Sequence, residues 1–183
     1  MGKDLCEGNR VIKTARLIIR RVRADDWKAI QEVWEDEAKS RYAQYDRPND
    51  LDDQAVCGRI TMWSFFANGD EHIFYAVCLK ERVIGYVSLN RTEGGYEIGY
   101  CFHSYFHGKG YAKESISGIF EDLKSRGMSG IRITAGTALE NTPSVRLLLS
   151  LGFNQAGTEK VSFYKDDDGN NIVFDGGVYE LLL

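Results

Sequence analysis

The chain has 183 residues, and its composition of 43% hydrophobic, 12% aromatic and 27% charged residues is typical of a folded domain rather than a disordered chain. This length supports one domain with its own core and is short for two, so we expect a single domain over 1–183, in which residues 1–13 form an N-terminal lead-in. Lysine and arginine number 23 against 27 acidic residues, and the net charge of −4 argues against a nucleic-acid partner while leaving room for a local phosphate site.

The first part of the chain predicts one strand and then two helices. Residues 15–22 combine β-branched side chains with charges between them, which favours a strand. A capping segment at 24–26 precedes apolar residues at helical spacing, namely Trp27, Ile30, Val33 and Trp34. After a loop around Pro48, a second amphipathic helix is predicted over about 51–67.

The remaining segments predict a mixed sheet with helices on its faces. Three strand-like runs come first, at 72–79, 83–90 and 96–103, with a charged hairpin turn at 80–82. They are followed by a helix at 110–126, a strand at 130–134, a helix at 142–151, and strands at 153–164 and 172–183 joined by a turn at 165–170. The order β-α-α-β-β-β-α-β-α-β-β predicts an α/β fold built on a mixed, twisted sheet.

Several classes of function are disfavoured by what the sequence lacks. No apolar stretch approaches the ~20 residues needed to span a bilayer, and the N-terminus has no hydrophobic signal core, so no membrane partner is expected. The four cysteines lie far apart without a CxxC pair, which favours reduced thiols and a cytoplasmic location: Cys6, Cys57, Cys78 and Cys101. The three histidines do not share ligand spacing with cysteines or carboxylates, so no metal is expected.

Residues 96–112 carry the strongest functional signal, because a strand runs into a glycine-containing loop that opens a helix. Gly108 and Gly110 allow backbone N–H groups to approach an anion closely, and the helix dipole favours negative charge there. Lys109 and Lys113 would add positive charge beside phosphate oxygens. The loop matches neither GxxxxGK[ST] nor GxGxxG, and glycines that only permit a tight turn are an equal alternative.

Residues 107–112, His-Gly-Lys-Gly-Tyr-Ala, resemble the (Gln/Arg)-x-x-Gly-x-(Gly/Ala) loop with which GNAT N-acetyltransferases bind the pyrophosphate of acyl-CoA. Further segments are similar to the RimJ/RimL-like branch and occur in the expected order, at 14–20, 140–148, 151–153 and 178–182. The resemblance spans about residues 14–182 and implies a GNAT-like fold. His107 departs from the pattern, although binding through backbone amides would make this exchange unimportant.

The resemblance implies acetyl-CoA as cosubstrate, with its pantetheine arm along the splayed strand before the loop. The cofactor-binding residues that it implies are Cys101, Phe102, His103, His107, Gly108, Lys109, Gly110, Tyr111, Ala112, Lys113, Asn141 and Ser144. A backbone N–H at Cys101 or Phe102 would stabilise the oxyanion formed from the thioester. Because the amine attacks the thioester directly in this family, Cys101 is expected to be a packing residue rather than a nucleophile.

Glu97 and Ser144 are the candidate catalytic side chains. The amine must lose a proton before it attacks, and the RimJ/RimL-like pattern carries a glutamate at position 97; the alternative is an ordinary surface residue. Many relatives supply a tyrosine to the leaving thiolate where this chain has Leu148, and Ser144 is the substitute that resembles the branch. Asn141 lies one helical turn before Ser144 and is also a good helix cap.

We therefore expect an acetyl-CoA-dependent N-acetyltransferase that acts directly on a primary amine, on a protein N-terminus or on a small molecule. A transferase for another acyl-CoA, and a CoA-binding sensor with a degenerate site, stay open as alternatives. Acceptor choice is expected to depend on about 24–67 and the 165–171 turn, whose acidic residues would attract a cationic amine unless they only form a solvated face. Both a monomer and a homodimer are compatible with the resemblance.

Overall fold

The computed structural model describes residues 10–66 and 69–183, in which helices flank a mixed sheet of eight strands. In chain order the elements are β1 (Val11–Lys13), β2 (Leu17–Arg21), α1 (Trp27–Glu37), α2 (Asp53–Phe66), β3 (His72–Leu79), β4 (Arg82–Thr92), β5 (Gly95–Phe102), α3 (Tyr111–Ser125), β6 (Arg132–Ala138), α4 (Thr142–Ser150), β7 (Asn154–Lys165) and β8 (Asn171–Leu182). The sheet order is β1-β2-β3-β4-β5-β6-β8-β7, and β5 pairs with β6 in parallel while the other neighbours are antiparallel. The predicted fold class is confirmed.

The structure corrects the predicted strands in two places. β1 lies inside the segment expected to be a lead-in, where it pairs with β2, while residues 1–9 and Cys6 among them lie outside the described residues. β6 covers Arg132–Ala138 rather than 130–134. Its second half, Ala-Gly-Thr-Ala, has weak β-propensity, and the antiparallel pairing with β8 as far as Ala138↔Gly176 extends it.

The sheet is packed on both faces. On one face, Ile98 of β5 belongs to the main core together with Ile116 of α3 and Leu148 of α4. On the other face, α1 and α2 form a second core around Trp34 and Ile60. Because successive side chains of a strand point to opposite faces, the even-numbered residues of β5 face α3 and α4, and the odd-numbered residues face α1 and α2.

β5 and β6 separate after a short parallel start. Their pairing covers three residue pairs, from Gly95↔Arg132 to Glu97↔Thr134. Gly95 permits this start, because a Cβ at that position would lie 1.7 Å from the carbonyl oxygen of Arg132. Beyond Glu97, β5 continues beside β4 and β6 continues beside β8, so that residues 98–102 and 135–138 do not pair with each other; this unpaired region is called the β5–β6 gap.

Candidate active site

The backbone of β5 presents alternate residues to the β5–β6 gap. The N–H of His103, just after β5, donates to the carbonyl of Ile84 on β4 at 3.1 Å. Since polar groups alternate in direction along an antiparallel pair, the N–H of Cys101 points toward β4, whereas those of Tyr100 and Phe102 point toward the gap. Of the two positions expected for the oxyanion donor, Phe102 is therefore the one with its N–H on the gap side.

The loop after β5 forms a cradle of backbone donors at residues 108–113. Gly108 and Gly110 have φ angles of +70° and +79°, a left-handed conformation that turns the chain tightly before α3. The six backbone N–H groups of the cradle meet no acceptor in hydrogen-bonding geometry among the described residues; the next one, of Glu114, donates to the carbonyl of Gly110 at 3.0 Å. These donors and the α3 dipole suit an anionic diphosphate, as the loop pattern predicts.

Arg16 holds the cradle, a role that the sequence pattern does not indicate. Its Nη1 donates to the carbonyl of Lys109 at 2.9 Å, and its Nε donates to Glu114 Oε2 at 2.7 Å. The guanidinium also lies 4.5 Å from the centre of the Tyr111 ring. Partial burial opposes ionisation of Glu114, but hydrogen bonds from Thr14 and Arg16 lower the pKa of its carboxyl, so this carboxyl stays charged at neutral pH.

Arg16→Met is expected to weaken CoA binding about fivefold, because loss of the hydrogen bond to the loop, worth about 1 kcal/mol, lets the cradle move. Isothermal titration calorimetry with CoA measures the effect. Arg132→Met is the matched control, since Arg132 Nη2 makes a similar pair with Glu180 Oε2 at 2.8 Å near the other end of the gap. Equal losses in the two variants would contradict a specific role for Arg16.

His103 and His107 stabilise the loop from within. The His107 Nε2 lies 2.6 Å from the carbonyl oxygen of Phe102, and the backbone N–H of His107 donates to the carbonyl of Ser104. The His103 Nδ1 accepts a hydrogen bond from the N–H of Tyr105 at 3.2 Å. The His107 side chain therefore contacts the end of β5 and does not use the backbone donors of the cradle.

Charged side chains lie on both sides of the cradle, and two of them hold the loop through hydrogen bonds. Lys113 is exposed in the first turn of α3, whereas Lys109 Nζ is folded back and donates to the carbonyl of Tyr105 at 2.8 Å. Asp36, at the end of α1, accepts hydrogen bonds from the N–H and hydroxyl of Ser104 at 2.6 and 2.8 Å. Partial burial opposes ionisation of Asp36, but these hydrogen bonds lower its pKa, and they connect α1 to the cofactor loop.

Glu97 lies on the opposite face of β5 from the buried Tyr96 and Ile98, as the strand alternation predicts. Its exposed side chain is on the α1 and α2 side of the sheet, at the last β5–β6 pair, opposite Thr134. It makes no hydrogen bond or ion pair with any residue that the structure describes. The side chain therefore lies where the gap begins.

Asn141 and Ser144 begin α4, on the far side of the gap from β5. Asn141 caps the helix, since its Oδ1 accepts a hydrogen bond from the N–H of Ser144 at 3.3 Å. Ser144 Oγ lies 2.8 Å from Tyr100 Oη, a contact that bridges α4 and β5. Burial raises the pKa of Tyr100 to about 12, so its phenol stays protonated at neutral pH. Leu148, at the position of the usual tyrosine, is fully buried.

Cys101 lies opposite Tyr86 on the face covered by α1 and α2. Burial raises the pKa of its thiol to about 12, and the charges of Glu37 and Asp46 act in the same direction. The thiol therefore stays protonated at neutral pH, and a thiol is a poor nucleophile compared with a thiolate. These properties support a packing role for Cys101.

Glu37 and Asp46 add negative charge on this face. Glu37 ends α1, and Asp46 follows the short helical turn Ala43–Tyr45. Partial burial raises the pKa of both carboxyls, and the charge of Asp46 raises that of Glu37 further. The β7–β8 hairpin reaches the same region, because Tyr164 Oη donates to the carbonyl of Ala43 at 3.2 Å. Both residues lie within the 24–67 region whose acidic residues are expected from the sequence to attract a cationic amine.

Comparisons with known proteins extend this description. A family model described as "Acetyltransferase (GNAT) domain" matches residues 16–154. The chain is 29% identical over 161 residues to the uncharacterized N-acetyltransferase YnaD of Bacillus subtilis (strain 168). The aligned region covers 86% of this chain and 90% of that protein. A GNAT-family acetyltransferase from Bacillus anthracis superposes with a TM-score of 0.73 at 25% identity, over 94% of this chain and 98% of the other.

A second solved structure shows the same fold at lower identity. It is the acetyltransferase from Salmonella typhimurium that modifies the N-terminal serine of the 50S ribosomal subunit protein L7/L12, with a TM-score of 0.79 at 17% identity over 95% of this chain and 99% of the other.

In residues 10–66 and 69–183, no helix is long and apolar enough to cross a membrane, and no three side chains cluster as metal ligands. The family model covers most of the chain, and the chain therefore belongs to the GNAT family of acetyltransferases.

Proposed function

We propose that the protein transfers an acetyl group from acetyl-CoA, the donor used by its family, directly to a primary amine. The observation that carries this proposal is the β5–β6 gap with the cradle of residues 108–113 beyond its open end. The gap offers backbone donors and acceptors to a strand-like pantetheine arm, and the cradle offers six N–H groups to the diphosphate. The arrangement therefore fits both polar parts of the donor.

In the proposed reaction, Glu97 accepts one proton of the ammonium group, and the neutral nitrogen then attacks the thioester carbonyl from the α1 and α2 side. The second proton passes from the nitrogen to solvent as the amide forms. The N–H of Phe102 faces the gap and would stabilise the oxyanion of the tetrahedral intermediate. The carbon–sulfur bond then breaks, and the hydroxyl of Ser144 donates a hydrogen bond to the departing sulfur. The products are an acetylated amine and free CoA.

We infer a cationic primary amine as acceptor, on a peptide N-terminus or on a small molecule. Glu37 and Asp46 place two carboxyls on the acceptor side of the sheet, where they would attract an ammonium group.

The motifs at 14–20 and 140–148 support membership of the RimJ/RimL-like branch, which we include in the proposal. The free thiols of Cys57, Cys78 and Cys101 support a reducing, cytoplasmic location.

We also propose that residues 1–183 act as one catalytic unit. The site takes Arg16 from the start of β2, the cradle from the middle of the chain and Ser144 from α4, so that segments from both halves contribute to it. Both a monomer and a homodimer are compatible with this arrangement.

An amine panel with acetyl-CoA tests the proposed function. Peptides with free N-termini, polyamines, aminoglycosides and free amino acids are each incubated with the protein, and release of the CoA thiol and the mass of the product are measured. We expect thiol release that depends on the amine and an added acetyl group on the product. Turnover with only a longer acyl-CoA would favour the alternative donor. Calorimetric binding of CoA without turnover of any amine would favour a CoA-binding sensor.

Asp46→Asn is expected to raise the KM for a cationic acceptor about fivefold and to leave the Kd for CoA unchanged, because it removes one nearby charge worth about 1 kcal/mol. The Asp46→Asn substitution should also raise the free energy of unfolding at high pH, because the variant lacks the carboxyl that disfavours the folded state when it is ionised. A carboxyl whose pKa is raised on folding stabilises the protein below its unfolded pKa and loses that contribution as the pH rises through the folded pKa. Steady-state kinetics and thermal unfolding at low and high pH measure the two effects.

Glu121→Gln provides the charge-matched control for this variant. Glu121 is exposed on α3, and its substitution by glutamine removes the same charge from a surface away from the acceptor side. Its KM values should match those of the wild-type protein. An unchanged KM in Asp46→Asn would contradict a role of this carboxyl in acceptor binding.

A further inference from the structure

The hydrogen bond between Tyr100 and Ser144 is the most informative contact that the proposed reaction leaves unexplained. It joins two hydroxyls at 2.8 Å that are 44 residues apart in sequence and lie on two elements bordering the β5–β6 gap. Tyr100 lies three residues beyond Glu97, where the pairing of the two strands ends. Within the described ranges, neither hydroxyl has another hydrogen-bond partner.

Hydroxyls at this place can stabilise the leaving sulfur by a hydrogen bond but not by proton transfer. An ordinary thiol has a pKa of about 8.5. Burial raises the pKa of Tyr100 to about 12, and the aliphatic hydroxyl of Ser144 is a weaker acid still. Because proton transfer from either group to a thiolate is uphill, the thiolate leaves as an anion that accepts a hydrogen bond and later takes a proton from solvent.

The direction of the Tyr100–Ser144 hydrogen bond decides whether Ser144 can serve the sulfur. A serine hydroxyl has one hydrogen and two acceptor lone pairs. If Ser144 donates to Tyr100, its single hydrogen is used. The phenol is the stronger acid and the alcohol oxygen the stronger base, so the favoured arrangement has Tyr100 as donor, which leaves the Ser144 hydrogen free.

We propose that Tyr100 is a positioning residue whose phenol donates to Ser144 Oγ and thereby directs the Ser144 hydrogen to the sulfur of the departing CoA thiolate. This inference rests on the proposed function. The carbon–sulfur bond breaks with its electron pair on sulfur, and both O–H bonds stay intact. Of the two protons that the ammonium group loses, one goes to Glu97 and the other goes to solvent. Hydrogen bonds in a chain polarise one another. The Tyr100–Ser144 pair would therefore act in place of the tyrosine that many relatives have at the position of Leu148.

A titration of bound CoA tests the inference without an acceptor. The ultraviolet absorbance of the CoA thiolate is followed against pH in the wild-type complex, in Tyr100→Phe, in Ser144→Ala and in the double variant. Matching complexes with desulfo-CoA are subtracted, which removes the signals of the protein's own tyrosines and cysteines. We expect the pKa of the bound CoA thiol to rise by about one pH unit in each single variant and no further in the double variant.

Kinetics with an acceptor from the amine panel give a second measurement. The kcat should fall about tenfold in Tyr100→Phe at an unchanged KM for acetyl-CoA, and Ser144→Thr, which keeps a hydroxyl, should retain the dependence on Tyr100. Desulfo-CoA should bind Tyr100→Phe and the wild-type protein equally, because the phenylalanine ring preserves the packing.

Additive shifts in the double variant, or an unshifted thiol pKa in Tyr100→Phe, would overturn the inference and leave the acetyltransferase activity in place. Absence of acetyl transfer by the wild-type protein would contradict the proposed function, and this result is independent of the thiol titration. Failure of CoA to bind would overturn both.

Discussion

Glu97→Gln is expected to lower kcat about 100-fold at neutral pH, since a positioned general base contributes about 10²- to 10⁴-fold. The Kd for acetyl-CoA should not change, because Glu97 is exposed and lies on the face of β5 opposite the main core. Glutamine keeps the shape of the side chain but cannot take the proton of the ammonium group. Steady-state thiol release, together with calorimetric titration of CoA, separates the loss in turnover from any loss in binding.

The loss in Glu97→Gln should become smaller as the pH rises. In the variant only amine that is already neutral reacts, so its rate increases until the pH reaches the pKa of the acceptor, about 8 for an α-amine and about 10.4 for a lysine-like amine. The pH of the plateau therefore also identifies the class of acceptor. Glu93→Gln removes the same charge from the exposed β4–β5 turn and should behave like the wild-type protein. A loss that is constant with pH would contradict the role of Glu97 as base.

The cradle could be predicted from the sequence because its determinants are local. Gly108 and Gly110 adopt the left-handed conformation that other residues avoid, and the start of α3 leaves its first N–H groups without intrahelical acceptors. The face on which Glu97 lies follows in the same way from the period of two residues in a strand. In each case the information is contained within a few neighbouring residues.

The contacts that hold the site could not be predicted, because they join residues far apart in the chain. Arg16 and Glu114 are 98 residues apart, and each has an ordinary local explanation, such as the favourable interaction of Glu114 with the α3 dipole. A single sequence contains no signal that Tyr100 meets Ser144. The length of β6 could not be predicted for the same reason, since its pairing with the distant strand β8 overrides a weak local preference for strand structure.

Gly108→Val is expected to weaken CoA binding at least about 100-fold. No atom lies within 4 Å of the position that a Cβ would take at Gly108, so the added side chain would project into the open space beside the cradle. Displacement of the diphosphate from two backbone donors, each worth about 1.5 kcal/mol or more toward a charged group, accounts for a loss of this size. Calorimetric titration of CoA measures it directly.

Gly169→Val separates this steric effect from backbone strain. Gly169 has a φ angle of +83°, also has no atom within 4 Å of a Cβ, and lies in the turn between β7 and β8. Because both variants force a β-branched residue into the same left-handed conformation, they should lose similar thermal stability. Only Gly108→Val should lose CoA binding. Equal, undiminished binding in both variants would mean that the diphosphate does not lie at residues 108–113, and the orientation proposed for the thioester would then lose its anchor.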